Sequence, residues 1–278
     1  MDISTIDAGG YQLRVATSQG SAGTLPLLLF NGLGANLELL RGFADEMQNY
    51  GIGIVTFDIP GTGGSSQPRL PYRLWNLARL ANKVLTRVGI TGQVDVAGVS
   101  WGGALAQEFA HRFPRRSRRL LLAATTAGAV AVPGRWSALS KMIVPRRYAD
   151  PAYLSSIGAT LYGGKFREDP KLLERYGSLI RPPKGVGYYY QLLAASGWTS
   201  IPWLWRLRQQ TLVMMGTDDP IVPLINGRLL AGLIPNAHLV TIRDGHLFLV
   251  TSRRECAPAI ANFLRDGIWP KELELAAS

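Results

Sequence analysis

The chain is poor in cysteine, histidine and acidic residues, and it has no long apolar run. A single cysteine, Cys256, in 278 residues rules out an internal disulfide and suits a reducing compartment. No apolar stretch approaches the roughly 20 residues needed to span a bilayer, so no transmembrane segment is expected. The N-terminus, MDISTIDAGGYQLRVA, has acids at Asp2 and Asp7 and no basic stretch ahead of an apolar one. No signal peptide is therefore expected, and a cytoplasmic location is. Asp and Glu number 19 against 30 Lys and Arg, a net charge of +11. Five arginines, Arg112, Arg115, Arg116, Arg118 and Arg119, crowd one stretch, with Arg146 and Arg147 further on. No nucleic-acid motif accompanies them, so the expectation is a solvated basic face and no nucleic-acid partner.

What the chain does have is core material. Hydrophobic residues make up 47% and charged residues 18%, enough for one large domain or one domain with an insertion. Short apolar runs predict strands at 27–30, 54–57, 94–97, 120–122, 211–215 and 238–242. Unbroken runs of this kind suit strands covered on both faces. Helical patterns lie at 36–50, 72–88, 102–113, 223–233 and 254–265. The alternation predicts an α/β fold, a mainly parallel central sheet flanked by helices. Residues 127–208 break the rhythm, with no clear strand and nearly half of the chain's aromatics. The expected organisation is core at 1–126, a helical, aromatic-rich cap at 127–208, and core again at 209–278.

At the end of one predicted strand stands Gly98-Val99-Ser100-Trp101-Gly102-Gly103, a G-x-S-x-G spacing followed by helix-favouring residues. Strand, tight turn and helix are what a nucleophile elbow requires. Glycines make room for the turn, and the serine is held strained with its Oγ exposed. Ser100 is the predicted nucleophile.

A serine hydroxyl needs a base, and the chain offers three histidines. His111 lies about three helical turns beyond the elbow, too far to reach it. His238 opens a strand at the opposite edge. His246, in Asp244-Gly245-His246, follows a strand end and shares the edge of Ser100, so it is the predicted base. An acid must orient that histidine. Gly216-Thr217-Asp218-Asp219-Pro220-Ile221-Val222-Pro223 follows another strand, and Asp219 fits the spacing G-x-x-D-x-x-x-P. Asp219 is preferred and Asp218 remains the alternative. Two backbone donors should face the developing oxyanion. Trp101 supplies one as the residue after the nucleophile, and Leu33, in Asn31-Gly32-Leu33-Gly34, is chosen for the other. The loop Asp58–Ser65 is read as shaping the site without entering the chemistry. No metal and no cofactor are expected.

The order Ser100, Asp219, His246 is that of α/β-hydrolases. Beyond it, the stretches LLLFNGLGANLELL, FDIPGTGGSSQPRLPYR, GVSWGGALAQEFAH, LLAATTAGAVAVPG, GYYYQLLAASGWTSI and DDPIVPLINGRLLA, then DGHLFLV, resemble the intracellular medium-chain-length polyhydroxyalkanoate depolymerases. The resemblance spans most of residues 26–250 and is weak in the first 20 residues and after 265. It implies an α/β-hydrolase fold and a serine hydrolase releasing 3-hydroxyalkanoic acids from a stored polyester, with the triad on the same three residues. It also implies association with storage granules in a bacterial cell. On that reading Tyr188, Tyr189, Tyr190, Trp198 and Trp203 are expected to contact a water-insoluble chain. Two other readings share the motifs. One is a small-molecule carboxylesterase, lipase or C–C hydrolase with the same triad; the other is an idle hydrolase fold that binds granules.

Overall fold

Strands form where apolar residues run without interruption. In the computed structural model, which describes residues 1–183 and 185–270, these are β3 (Leu27–Phe30), β4 (Ile54–Phe57), β5 (Val94–Val99), β6 (Ser117–Ala123), β7 (Gln210–Gly216) and β8 (Ala237–Ile242). All six pair in parallel where they are neighbours. Two further strands precede them, β1 (Asp2–Ala8) and β2 (Tyr11–Thr17), an antiparallel hairpin whose second strand pairs with β4. The sheet order is β1-β2-β4-β3-β5-β6-β7-β8.

The period-2 alternation of strand side chains divides the core into two layers. Leu27, Leu29, Leu121 and Met214 point to one face, where Phe43 and Met47 of α1 (Arg41–Asn49), Phe248 of α11 (Phe248–Thr251) and Ile260 and Phe263 of α12 (Arg253–Asp266) cover them. Leu28, Phe30, Leu120, Leu122, Val213 and Met215 point to the other. There α2 (Leu74–Arg87), α3 (Trp101–Arg112) and α10 (Leu224–Leu233) supply Leu77, Leu105, Phe109 and Leu230. Between β6 and β7 the chain leaves the sheet for short helices: α4 (Trp136–Leu139), α5 (Arg146–Ala149), α6 (Pro151–Tyr162), α7 (Lys165–Glu168), α8 (Pro170–Leu179) and α9 (Gly187–Ala195). Their buried Leu154, Leu161, Tyr162, Tyr176 and Tyr188 extend the second core layer over the C-terminal ends of the strands.

Only part of the crowded arginine stretch is a solvated face: Arg112 and Arg115 are exposed, while Arg116, Arg118 and Arg119 are partly buried and bonded into the fold. Arg118 grips the buried Asp95 at the start of β5 through two bonds of 2.9 and 2.6 Å. Arg119 donates to the carbonyls of Leu264 and Arg265, and Arg116 to those of Ile90 and Gly92. These guanidinium groups fasten the N-terminal edge of the sheet to the end of α12 and to the loop before β5. Fixed forks with five donors do this well, because carbonyl oxygens at helix and loop ends lack other partners. Among the described residues no helix is long and apolar enough to cross a membrane.

Candidate active site

The elbow between β5 and α3 is strained. Ser100 has φ 55° and ψ −120°, and Ala124 is the other non-glycine residue with positive φ among the described residues. Such a conformation costs about 1–3 kcal/mol and persists only when its surroundings hold it. Here the Ser100 amide donates to the Ala123 carbonyl at 2.9 Å. The Ser100 carbonyl accepts from Thr125 Oγ1 at 2.7 Å and from the Gly103 amide at 2.9 Å. The glycines have separate reasons. A Cβ on Gly98 would overlap the backbone of Gly102 and Gly103, and one on Gly102 would overlap the carbonyls of Phe30 and Asn31. The start of α3 is thus pressed onto the end of β3. Trp101 is the first residue of α3, so its N–H has no partner within the helix.

Opposite the elbow, the buried His246 ring meets Asp219, with Nδ1 to Oδ2 at 2.7 Å. The Asp219 side chain has no exposed surface, and its Oδ1 accepts from the amides of Ile221 and Val222 at 2.8 and 2.9 Å. Two backbone amides and the imidazole therefore converge on one carboxylate, which fixes the orientation of both side chains. Asp218 is engaged elsewhere. Its Oδ2 accepts from the Gly164 amide at 2.8 Å and its Oδ1 lies 3.4 Å from Arg167. Asp244 binds the Lys165 amide at 3.0 Å and the hydroxyls of Thr251 and Ser252 at 2.6 Å. The His246 amide donates to the Tyr162 carbonyl at 2.8 Å. The insertion is thus tied to the loops that carry both Asp219 and His246.

Ser100, His246, Leu33 and Asn31 line one cavity. Leu39, Leu40, Leu249 and Val250 give it an apolar wall. The Leu33–Gly34 peptide is clamped from the insertion on both sides. Tyr148 Oη donates to the Leu33 carbonyl, and the Gly34 amide donates to Gln191 Oε1 at 2.8 Å. Gln191 also accepts at its backbone oxygen from Trp101 Nε1 at 2.9 Å. One buried residue of α9 therefore touches both loops expected to face an oxyanion. Beneath them, Asp58 accepts from the amides of Leu37 and Gly64, both at 2.8 Å. That joins the 58–65 loop to the 31–37 loop, and no residue of 58–65 lines the cavity.

The five expected aromatic contacts lie elsewhere. Tyr188 is fully buried and packs against the back of the Gly34 turn, where a Cβ would come within 2.7 Å of its ring. Tyr189 is half exposed, and Tyr190 packs edge-on to Tyr72. Trp198 Nε1 donates to Glu108 at 2.9 Å, and Trp203 stacks on His111 at 4.2 Å between centroids. None of the five lines the cavity. Burial pushes the His111 pKa down, and the ring serves as a platform for Trp203. The insertion's contribution to the cavity is Met142, Arg147, Tyr148, Tyr162 and Tyr176. The sequence alone groups Arg147 with the surface charge. Of the two neighbouring arginines, Arg146 pairs with Asp150 at the surface, while Arg147 is buried. Among the described residues no group of three or more His, Cys, Asp or Glu is arranged to hold a metal ion.

Comparison with known proteins fits this geometry. Residues 26–252 match the family model described as alpha/beta hydrolase fold. The poly(3-hydroxyalkanoate) depolymerase of Ectopseudomonas oleovorans is 50% identical over 261 residues, 94% of this chain and 92% of that one. The 2-hydroxymuconate semialdehyde hydrolase of Pseudomonas putida is 30% identical over 276 residues, 93% and 92% of the two chains. Among solved structures, the enol-lactonase from Burkholderia xenovorans superposes with a TM-score of 0.81 at 20% identity, covering 95% of this chain and 100% of that one, a likeness of fold.

Proposed function

Because the chain belongs to the α/β-hydrolase family, alongside a poly(3-hydroxyalkanoate) depolymerase, we propose that it hydrolyses the ester bonds of a poly(3-hydroxyalkanoate) through an acyl-enzyme on Ser100. Ser100 Oγ attacks the ester carbonyl as His246 Nε2 takes its proton. The Nδ1 bond to Asp219 holds the tautomer that leaves Nε2 free to accept and stabilises the imidazolium that follows. The amides of Trp101 and Leu33 receive the oxyanion. The tetrahedral intermediate collapses, and the departing 3-hydroxyl takes the proton from His246. Water, deprotonated by the same ring, then attacks the acyl carbonyl, the bond to Ser100 Oγ breaks as His246 returns the proton to Oγ, and the acid leaves.

The observation that carries this reading is the 2.7 Å His246–Asp219 bond in the same cavity wall as a strained Ser100. The largely apolar cavity suits an acyl chain. The proposed setting is the cytoplasm, at the surface of a storage granule.

The test is clearing of a medium-chain polyester latex, followed by turbidity, beside hydrolysis of soluble p-nitrophenyl esters of graded length. Wild type is expected to clear the latex and Ser100→Ala to leave it turbid. Rapid ester hydrolysis with no clearing would replace the polyester by a small-molecule ester or a C–C bond substrate.

A further inference from the structure

Ester hydrolysis by Ser100, Asp219 and His246 leaves one charged group of the cavity without a task. Arg147 is only 2% exposed, yet it lines the space that Ser100 and His246 line. Its Nη1 donates to Tyr188 Oη at 2.9 Å and its Nη2 to Tyr148 Oη at 3.2 Å. Its Nε, also buried, has no partner. The guanidinium carbon sits 4.4 Å from the centre of the Tyr148 ring and 5.5 Å from that of Tyr188. Among the described residues no carboxylate lies within 4.0 Å of it.

A guanidinium remains protonated at any pH the fold survives. A buried cation without an anion is costly, and phenol oxygens and ring faces offset that only in part. Of its five N–H donors, two are used. The group is held on both sides by tyrosines, so its orientation is set before any ligand arrives. Around it the wall is mostly apolar, with Leu39, Leu247, Leu249 and Val250. A fixed planar cation at the edge of an apolar cavity is complementary to a carboxylate on an alkyl chain, which it can bind through parallel bonds.

We propose that Arg147 is a carboxylate subsite, which binds either the free carboxyl end of the polyester or the released 3-hydroxy acid. The proposal rests on the hydrolytic reading of the same cavity. A 3-hydroxyalkanoate unit has its carboxylate only two carbons from the oxygen released on cleavage. Holding that carboxylate places the terminal ester bond, in preference to internal ones, within the cavity that contains Ser100. Cleavage from the carboxyl end, one unit at a time, follows from this.

Two arms separate the sources of the carboxylate. In the first, the linear dimer of 3-hydroxyoctanoate is compared with its methyl ester as substrates of wild type. The free acid is expected to show a kcat/KM roughly 10- to 100-fold higher, the range of a charge-assisted contact. Arg147→Met is expected to bring that ratio to about one, and Arg147→Lys to an intermediate value. In the second arm, 3-hydroxyoctanoate and its methyl ester are titrated calorimetrically into Ser100→Ala, which needs no turnover. Tighter binding of the acid without a preference between the dimers assigns the subsite to the product. Equal behaviour of acid and ester in both arms, with wild type as the protein in the first, overturns the proposal even if the arginine variants fail to fold. Acid binding with neither dimer hydrolysed would instead count against the hydrolytic reading and leave the subsite standing.

Discussion

The elbow and the helical insertion meet at one cavity but are built by different means. At the elbow the backbone decides. Gly98 lets α3 press against β5 and Gly102 lets it press against β3, and Ser100 takes a conformation that its neighbours enforce through bonds to its main chain. In the insertion side chains decide. Short helices dock through tyrosine hydroxyls, Gln191 and a buried arginine, and their aromatics turn mostly away from the cavity. The rigid sheet edge is suited to holding reacting groups, and the insertion to shaping what they meet.

The largest effects should fall on the sheet edge. Ser100→Ala and His246→Ala are each expected to lower kcat on a p-nitrophenyl ester by roughly 10⁴- to 10⁶-fold. His111→Ala, in a ring stacked on Trp203, should stay within a few-fold of wild type. A reversed outcome would move the chemistry out of the sheet edge.

Next comes the elbow's backbone. Gly102→Ala places a methyl group against two backbone carbonyls, so α3 must shift. A loss of about 1–3 kcal/mol in stability and more than tenfold in kcat is expected. Gly232→Ala, in α10 with open space around it, should be neutral or slightly stabilising in the same thermal melt.

The insertion should respond more gently. Gln191→Ala removes the acceptor that holds the Gly34 amide, and kcat is expected to fall about tenfold with KM changed less than twofold. Trp203→Ala should lower Tm by several degrees and leave KM on soluble esters within twofold, because Trp203 packs on His111 away from the cavity. A large rise in KM would return the expected role of aromatic substrate contact to this residue.

The smallest effect concerns acid. Burial raises the Glu38 pKa, but hydrogen bonds from Arg14 and Asn36 outweigh it and hold the group at about 2, below its ordinary 4.5. A lowered folded-state value means this stability is complete above pH 4.5 and is lost as pH falls toward 2. Arg14→Met should therefore be less stable than wild type at pH 7, with the gap narrowing below pH 4.5, as read by denaturant titration at several pH values.

The parallel sheet and the strand-end order of Ser100, Asp219 and His246 were legible because each depends on a local pattern. An apolar run, a glycine at a turn and a helix after it mark a place on the sheet edge without knowledge of distant residues. The hairpin β1–β2, absent from the expected strands, also has a local signal, since Gly9-Gly10 separates two runs of strand-forming residues. Arg147 and Tyr148 were not legible. Pro-Arg-Arg-Tyr has no periodicity, and which arginine is buried depends on where α5 docks against Tyr188, 41 residues later. The aromatics of the insertion misled for a related reason. Their abundance suggested an apolar contact surface, but an insertion without strands must fill its own core, and most of them do that.

The most direct test of the account is an acid quench of the enzyme mixed with 3-hydroxyoctanoate oligomer, followed by peptide mass spectrometry. A 3-hydroxyoctanoyl ester on the peptide containing Ser100, accumulating in wild type and absent from Ser100→Ala, is the predicted result. Oligomer cleavage with no adduct at Ser100, together with activity retained in Ser100→Ala, would contradict it.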